Sequence, residues 1–250
     1  MRVIASYNIK GGVGKTTTAV NIAWLAASQG KRTLLWDLDS QSAATYCLRV
    51  KGKANSKNLW RGKSDAGDII RPTAYARLDL LPSDFSYRNV DVLLHQEKNP
   101  LKRLRKVLKP LGDDYDVIIL DCPPGLSLLS EAIFCASDAL LVPTLPSVLS
   151  LRTLKMLIEF RKQKSLKKLQ LLAFLTMVDR RKKLHNEIIG LRSRMQPWVL
   201  ESFVPYASEL EQIAERREPV FSYAPYGRSA EAYAGLWTEV CTRLSDSDWS

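Results

Sequence analysis

The sequence predicts an α/β fold: a doubly wound, mostly parallel sheet with helices on both faces, formed as a single domain over residues 1–250. Three observations predict it. Short apolar runs bounded by polar or turn residues alternate with helical patterns along the whole chain, and strand alternating with helix builds a parallel sheet covered on both sides. A length of 250 residues is enough for one such domain with a substantial core, and not obviously for two. The first apolar run leads straight into the glycine-rich stretch "NIKGGVGKTT", Asn8 to Thr17, and then into a helical pattern. That context turns a glycine motif into a phosphate-binding loop.

The elements follow in order. The apolar runs "RVIASY" (2–7), "RTLLWD" (32–37), "LDLLP" (78–82), "DVIILD" (116–121), "ALLVPT" (139–144), "LQLLAFLT" (169–176) and "WVLESFV" (198–204) read as buried strands. Helical patterns cover Thr16–Gln29, Val90–Leu111, Leu126–Ala136, Ser150–Lys164, Leu184–Met195 and Glu209–Arg217, with a last helix over Ala230–Leu244. The stretch 49–74 is rich in Lys, Gly, Ser and Asn and is expected to be an irregular excursion on the surface. There is no internal repeat and no low-complexity linker.

Apolar (46%) and charged (25%) fractions are those of a soluble globular protein. No apolar run is long enough to span a bilayer. With a strand from Arg2 onward, no signal peptide is expected ahead of the fold. Cys47, Cys122, Cys135 and Cys241 form no C-x-x-C pair, so reduced thiols in a cytosolic protein are expected rather than a disulfide or zinc framework. The net charge of +11 is unevenly spread: residues 151–200 carry thirteen Lys/Arg against three Asp/Glu, and residues 201–250 carry four against nine. A basic block of this size points to a polyanionic partner, either nucleic acid or an acidic membrane surface; the alternative is a well-solvated pair of helices.

Three motifs carry chemistry. In "GGVGKTT" the backbone N–H groups of Gly11, Gly12, Val13, Gly14 and Lys15 can cradle β- and γ-phosphates, because glycine lets the backbone approach closely, and the helix N-terminus adds its positive dipole end. Lys15 is suited to bridge the terminal phosphates, the Thr16 hydroxyl to ligate Mg²⁺, and Thr17 to bond the α-phosphate. In "DVIILDCPPG", Asp121 ends a buried strand, where a Walker B aspartate holds Mg²⁺. In "LLWDLDSQ", Asp37 and Asp39 lie just beyond the second strand, also at the edge where open α/β sheets bind ligands. A carboxylate there can orient an attacking water; the alternative is a turn-forming Asp, a reading that suits Asp37 better than Asp39.

These pieces resemble the ParA/MinD family of P-loop NTPases, whose deviant Walker A motif is K-G-G-x-G-K-T-[ST]. "DLDSQ" resembles the family's D-x-D-P-Q switch, with Ser40 in place of proline, and "ILDCPPG" its I-x-D-x-P-P segment, with Gly125 where serine is common. "FLTMVDRR" resembles the stretch after the sixth strand, "VPYASELEQIAERREPVFSY" the adenine-side region, and "RSAEAYAGLWTEV" the C-terminal helix. The likeness covers nearly the whole chain except 49–74. It implies an ATPase using ATP and Mg²⁺, slow without a partner. Catalytic roles would fall to Lys10, Lys15 and Asp39, Mg²⁺ to Thr16, Asp39 and Asp121, and further nucleotide contacts to Met177 and Pro205. It also implies a task for Lys10. An ordinary phosphate loop begins with a glycine where this chain has Ile9, and has no use for Lys10. In the family the entrance lysine reaches the nucleotide on a second subunit, acting like an arginine finger and tying dimerisation to ATP.

Functions on this fold differ in their second partner. The reading favoured here is a ParA-type ATPase, closest to the partition and positioning members. Such an ATPase forms a homodimer when ATP-bound, binds double-stranded DNA nonspecifically, and moves a cargo with a ParB-like or other small basic adaptor that stimulates hydrolysis. The cargo would be a plasmid, a chromosome region or a protein compartment such as a carboxysome. The alternatives are a MinD-like membrane-associated positioning ATPase and a metabolic P-loop enzyme; an iron-protein-type reductase would need cluster cysteines, for which no site is evident. The chain ends "LSDSDWS", without the basic amphipathic helix of a membrane-bound relative, so no membrane is expected, and the ParA-type reading implies a cytoplasmic, nucleoid-associated location. With the first strand at residue 2, no added operator-binding domain is expected. The DNA face is assigned to Arg180, Arg181, Lys182, Lys183, Arg192 and Arg194, with Arg216, Arg217 and Arg228 as additions.

Overall fold

The apolar runs line up side by side in the computed structural model, which describes residues 1–52 and 56–245. Among these residues the strands are β1 (Arg2–Ser6), β2 (Thr33–Asp37), β3 (Arg71–Pro72), β4 (Leu78–Leu81), β5 (Val117–Asp121), β6 (Ala139–Thr144), β7 (Gln170–Val178) and β8 (Val199–Pro205). They form one sheet in the order β3-β4-β2-β5-β1-β6-β7-β8. Pairing is parallel throughout except at the β3–β4 edge, which is antiparallel. The predicted strands coincide with β1, β2 and β4 to β8 within two residues; β3 is new, too short to register as an apolar run.

The helices are α1 (Lys15–Ser28), α2 (Ala43–Cys47), α3 (Ser56–Trp60), α4 (Val90–His95), α5 (Pro100–Leu108), α6 (Leu128–Ala136), α7 (Val148–Gln163), α8 (Lys183–Gly190), α9 (Ser208–Glu211), α10 (Ile213–Arg216), α11 (Val220–Tyr223) and α12 (Arg228–Ser245). Alternate side chains of each strand point to opposite faces. Val3, Ala5 and Tyr7 join Leu34, Trp36 and Ile118 in a core with residues of α3 to α7. Ile4, Leu35 and Ile119 join a second core with α1, α2 and α12. β2 and β5 are buried at every position, as strands covered on both faces must be.

Three helical expectations change. The predicted helix Val90–Leu111 is α4, α5 and a 3₁₀ turn over Lys109–Gly112. Pro100 lacks an N–H and holds Asn99 outside the helical region (φ −135°, ψ 71°), so one helix must end and another begin at proline. The predicted helix Leu184–Met195 stops at Gly190 and continues as a 3₁₀ turn over Arg192–Met195. The predicted helix Glu209–Arg217 is the two single-turn pieces α9 and α10. The stretch 49–74 also departs from an irregular surface excursion among its described residues: α3 lies within it, and Leu59, Trp60, Ala66 and Ile69 are buried. Residues 53–55 of that stretch, and Asp246 and Asp248 of the terminal "LSDSDWS", lie outside the described residues.

Central β1 lies between β5 and β6, and the chain crosses first to the β2 side and later to the β6 side. The winding therefore reverses at β1, and the crevice at its carboxyl end is where such sheets bind ligands.

Candidate active site

The phosphate loop fills the turn from β1 to α1. Gly12 (φ 68°) and Gly14 (φ 85°) are left-handed, a conformation that glycine adopts without steric cost. A side chain built on Gly11 or Gly12 would meet nothing within 4 Å, so the loop presents bare backbone to an open space. α1 starts at Lys15 with Gly14 as its N-cap. The loop is anchored from beneath: Ser6 Oγ donates to the Lys15 carbonyl at 2.8 Å, and the Asn8 side chain donates to the Pro143 carbonyl and accepts from the Lys10 amide.

Lys15 is buried, and its Nζ donates to the Lys10 carbonyl at 3.2 Å. Burial pushes its pKa down, while Asp121 and Asp39 pull it back up. Asp37 and Asp121 are register partners at the ends of β2 and β5 and both are fully buried. Side chains paired in this way share a face, so the two carboxylates repel. Burial, then Asp37, raises the Asp121 pKa well above the usual carboxylate range, and the Thr16 hydroxyl beside it offsets only part. Neither Asp121 oxygen has a well-formed hydrogen bond. Buried acceptors without donors are costly, and a divalent cation beside Thr16 would relieve them. Among the described residues no group of three or more His, Cys, Asp or Glu could hold a metal. Mg²⁺ in phosphate-loop sites takes one or two carboxylates and completes its shell with phosphate oxygens and water. The residues present therefore fit a Mg²⁺–nucleotide complex, with Thr16 and Asp121 toward the cation.

The second strand's aspartates divide their work differently from the sequence reading. Asp37 is no simple turn former. Its carboxylate accepts from the Thr45 amide and hydroxyl, both at 2.8 Å, and from the Asp39 amide at 3.1 Å. Ser83, beyond β4, donates its hydroxyl to the Asp39 carbonyl at 2.7 Å and its amide to Thr45 Oγ1 at 3.0 Å. Asp39 is thus held from two sides while half-buried near Lys15. Thr45 and Ser83 were missed by sequence reasoning. Ser83 is remote along the chain, and no local motif marks it.

Lys10 is half-exposed, and its Nζ meets Ser150 Oγ at 3.3 Å, near the start of α7. Met177 is left-handed (φ 53°) and its Cε lies 3.9 Å from a side chain built on Gly14, which sets it against the loop. It lines a cavity of about 550 Å³ with Pro146, Asp179, His185 and Tyr206. Pro205 lines a neighbouring cavity of about 760 Å³, which also holds Arg180, Arg181 and Arg228. The sequence divided these residues between nucleotide and DNA; the fold gathers them at one edge.

The other basic residues do not form a single patch. Arg181 is ion-paired with Asp179 at 2.9 Å, and Arg180 lies over the Phe203 ring. Lys182, Lys183 and Arg194 are exposed. Arg192 is turned inward, donating to the Ile189 and Glu201 carbonyls and covering Phe203. Arg216 and Arg217 engage Tyr223 and Tyr46, on α11 and α2.

The AAA domain family matches residues 1–172. The chain is similar to the sporulation initiation inhibitor protein Soj of Bacillus subtilis (strain 168), with 33% identity over 248 residues covering 96% of this chain and 98% of Soj. It is similar to the chromosome partitioning protein ParA of Myxococcus xanthus (strain DK1622), with 32% identity over 250 residues covering 97% and 88%. Among solved structures, apo McdA from Cyanothece shares the fold with a TM-score of 0.84 at 22% identity, over 96% of this chain and 99% of McdA. Likeness this continuous along the chain decides the matter: it belongs to the ParA/Soj family of P-loop partitioning ATPases.

Proposed function

We propose that the protein hydrolyses ATP slowly with Mg²⁺, forms an ATP-dependent sandwich dimer that binds double-stranded DNA without sequence preference, and positions or segregates a cargo through a ParB-like or small basic adaptor. The observation that carries this reading is the second lysine of the loop. Lys15 already supplies a cation for phosphates bound in its own chain. Lys10 sits at the loop's mouth, half-exposed and held only by a hydroxyl, available to phosphates presented by a second copy. The backbone of residues 11–15 would bind the phosphate oxygens, with Lys15 bridging the terminal ones and Thr17 beside the α-phosphate. Met177 and Pro205 would border the base. Mg²⁺, when bound, neutralises phosphate charge. Asp39, steadied by Asp37 and Ser83, would orient the attacking water, and Lys10 of a second copy would meet the developing charge. Lys182, Lys183 and Arg194 would lead the DNA face, with Arg180, Arg181, Arg216, Arg217 and Arg228 contributing where they are free to turn outward, in a cytoplasmic, nucleoid-associated protein. Among the described residues no helix is long and apolar enough to cross a membrane.

The test is duplex binding with ATP, with ADP and without nucleotide, for wild type and Asp39→Ala. ATP should promote binding to unrelated duplexes with similar affinity. Asp39→Ala should hold the ATP-bound, DNA-bound dimer because hydrolysis slows. DNA binding indifferent to nucleotide, or wild-type turnover in Asp39→Ala, rejects the reading.

A further inference from the structure

A second cation-lined cavity lies away from the phosphate loop and shares no residue with it. It occupies about 290 Å³ between the turn that ends α3 and one side of α5, with Gly62, Lys63, Ser64, Asp65, Arg103 and Lys106 in its lining. Gly62 is left-handed (φ 69°), and a Cβ there would fall 2.9 Å from the Arg103 guanidinium. The glycine therefore lets that guanidinium lie flat against the turn. One Arg103 nitrogen donates to the Leu59 carbonyl at 2.9 Å.

Two donors of the lining are unmatched: Arg103 Nε and Ser64 Oγ are buried without a hydrogen-bond partner. Among the described residues, Lys63, Arg103 and Lys106 have no ion-pair partner, and Asp65 is the one acid of the lining, leaving a net charge of +2. Buried donors left without acceptors carry a desolvation cost. A planar guanidinium flanked by lysines matches the oxygens of a phosphate group.

We propose that this cavity binds a small phosphate-bearing anion at a site separate from the nucleotide. Arg103 Nε and Ser64 Oγ are recessed, and the exposed Lys63 and Lys106 stand at the rim above them. A free phosphate group can enter the cavity, whereas the backbone phosphates of a duplex lie on a broad convex cylinder and suit exposed cations.

The experiment is a calorimetric titration of inorganic phosphate into full-length Lys15→Ala protein, whose phosphate loop lacks its cation. Saturable binding at one site is expected. Arg103→Met should weaken it at least about tenfold by removing the charge-assisted donors. Because Arg103 also holds the Leu59 carbonyl, the exposed pair Lys63→Ala/Lys106→Ala supplies a second arm, expected to weaken phosphate by about tenfold with an unchanged circular-dichroism spectrum and melting temperature. Absence of saturable heat in Lys15→Ala overturns the site. So does undiminished affinity in both variants. Unchanged phosphate affinity in Lys63→Ala/Lys106→Ala, together with a reduced salt slope for duplex binding, would make these lysines DNA contacts and overturn it as well.

Discussion

Lys15 is a buried cation whose side chain rests on a carbonyl of its own loop, near the buried carboxylate of Asp121 and the half-buried one of Asp39. Phosphate oxygens are better acceptors for it than that carbonyl, because a charged pair makes the stronger hydrogen bond. Lys15→Ala should therefore abolish ATP binding, read as loss of calorimetric heat. Equal affinity in mutant and wild type would reject the loop assignment. Gly14 shows how little freedom the loop has. Any side chain there would be forced into the left-handed region (φ 85°), although its Cβ would meet Thr176 and Met177 only at an ordinary contact distance of 3.9 Å. Asp37 shows the reverse economy: one fully buried carboxylate organises Thr45 and the backbone of Asp39 through three accepted bonds.

At the scale of elements, two segments behave differently from their composition. The stretch around α3 looks polar, yet Trp60 is 1% exposed and its ring lies 5.9 Å from Trp36 of β2. Trp60→Ala should cost about 3–5 kcal/mol, seen as a lower urea midpoint. A loss below about 0.5 kcal/mol, the range of ordinary surface changes, would restore the surface excursion. The turn after α8 contains two arginines with opposite fates. The Arg192 side chain is 15% exposed and bonded to carbonyls on both sides, whereas Arg194 is exposed. Arg192→Ala should lower the melting temperature and leave the salt dependence of DNA binding alone. Lys182→Ala and Lys183→Ala should each reduce the salt slope by about one unit with little effect on melting. If Arg192→Ala alone changes the slope, the interior contacts do not hold it.

For the whole molecule, ATP-driven association is the property on which the proposed activity depends. Lys10 rests on the hydroxyl of Ser150 of its own chain at 3.3 Å, a long, part-buried contact worth little against a charge-assisted bond to phosphate. Lys10→Ala should leave ADP binding by the monomer nearly intact and weaken ATP-driven dimerisation, as followed by sedimentation equilibrium or light scattering. A normal ATP dimer in that variant would remove the trans role. In the proposed dimer two basic faces would engage one duplex together, so avidity would rise without any new contact. DNA binding should then fall with dimerisation in Lys10→Ala, in step and not separately.

The local signals in the chain were enough for the parallel sheet, the loop from Asn8 to Thr17, and the acids Asp121 at the end of β5 and Asp39 two residues past the end of β2. Each is written in adjacent residues: an apolar run, a glycine spacing, an acid after a buried strand. Proline and glycine punctuation could have split Val90–Leu111 and ended α8 at Gly190, but the apolar periodicity masked it. What only the tertiary structure decided are relations between distant segments. Asp37 became a buried organiser because β2 pairs with β5 and Ser83 returns beside it from the end of β4. Trp60 became core because α3 folds onto Trp36. Arg192 turned inward because Glu201 and Phe203 of β8 lie against its turn, while Arg180, Arg181 and Arg228 came together with Pro205 at one sheet edge. Charge and burial at a residue depend on what the fold brings to it from elsewhere. A linear pattern records the residue's own preference and not its neighbours.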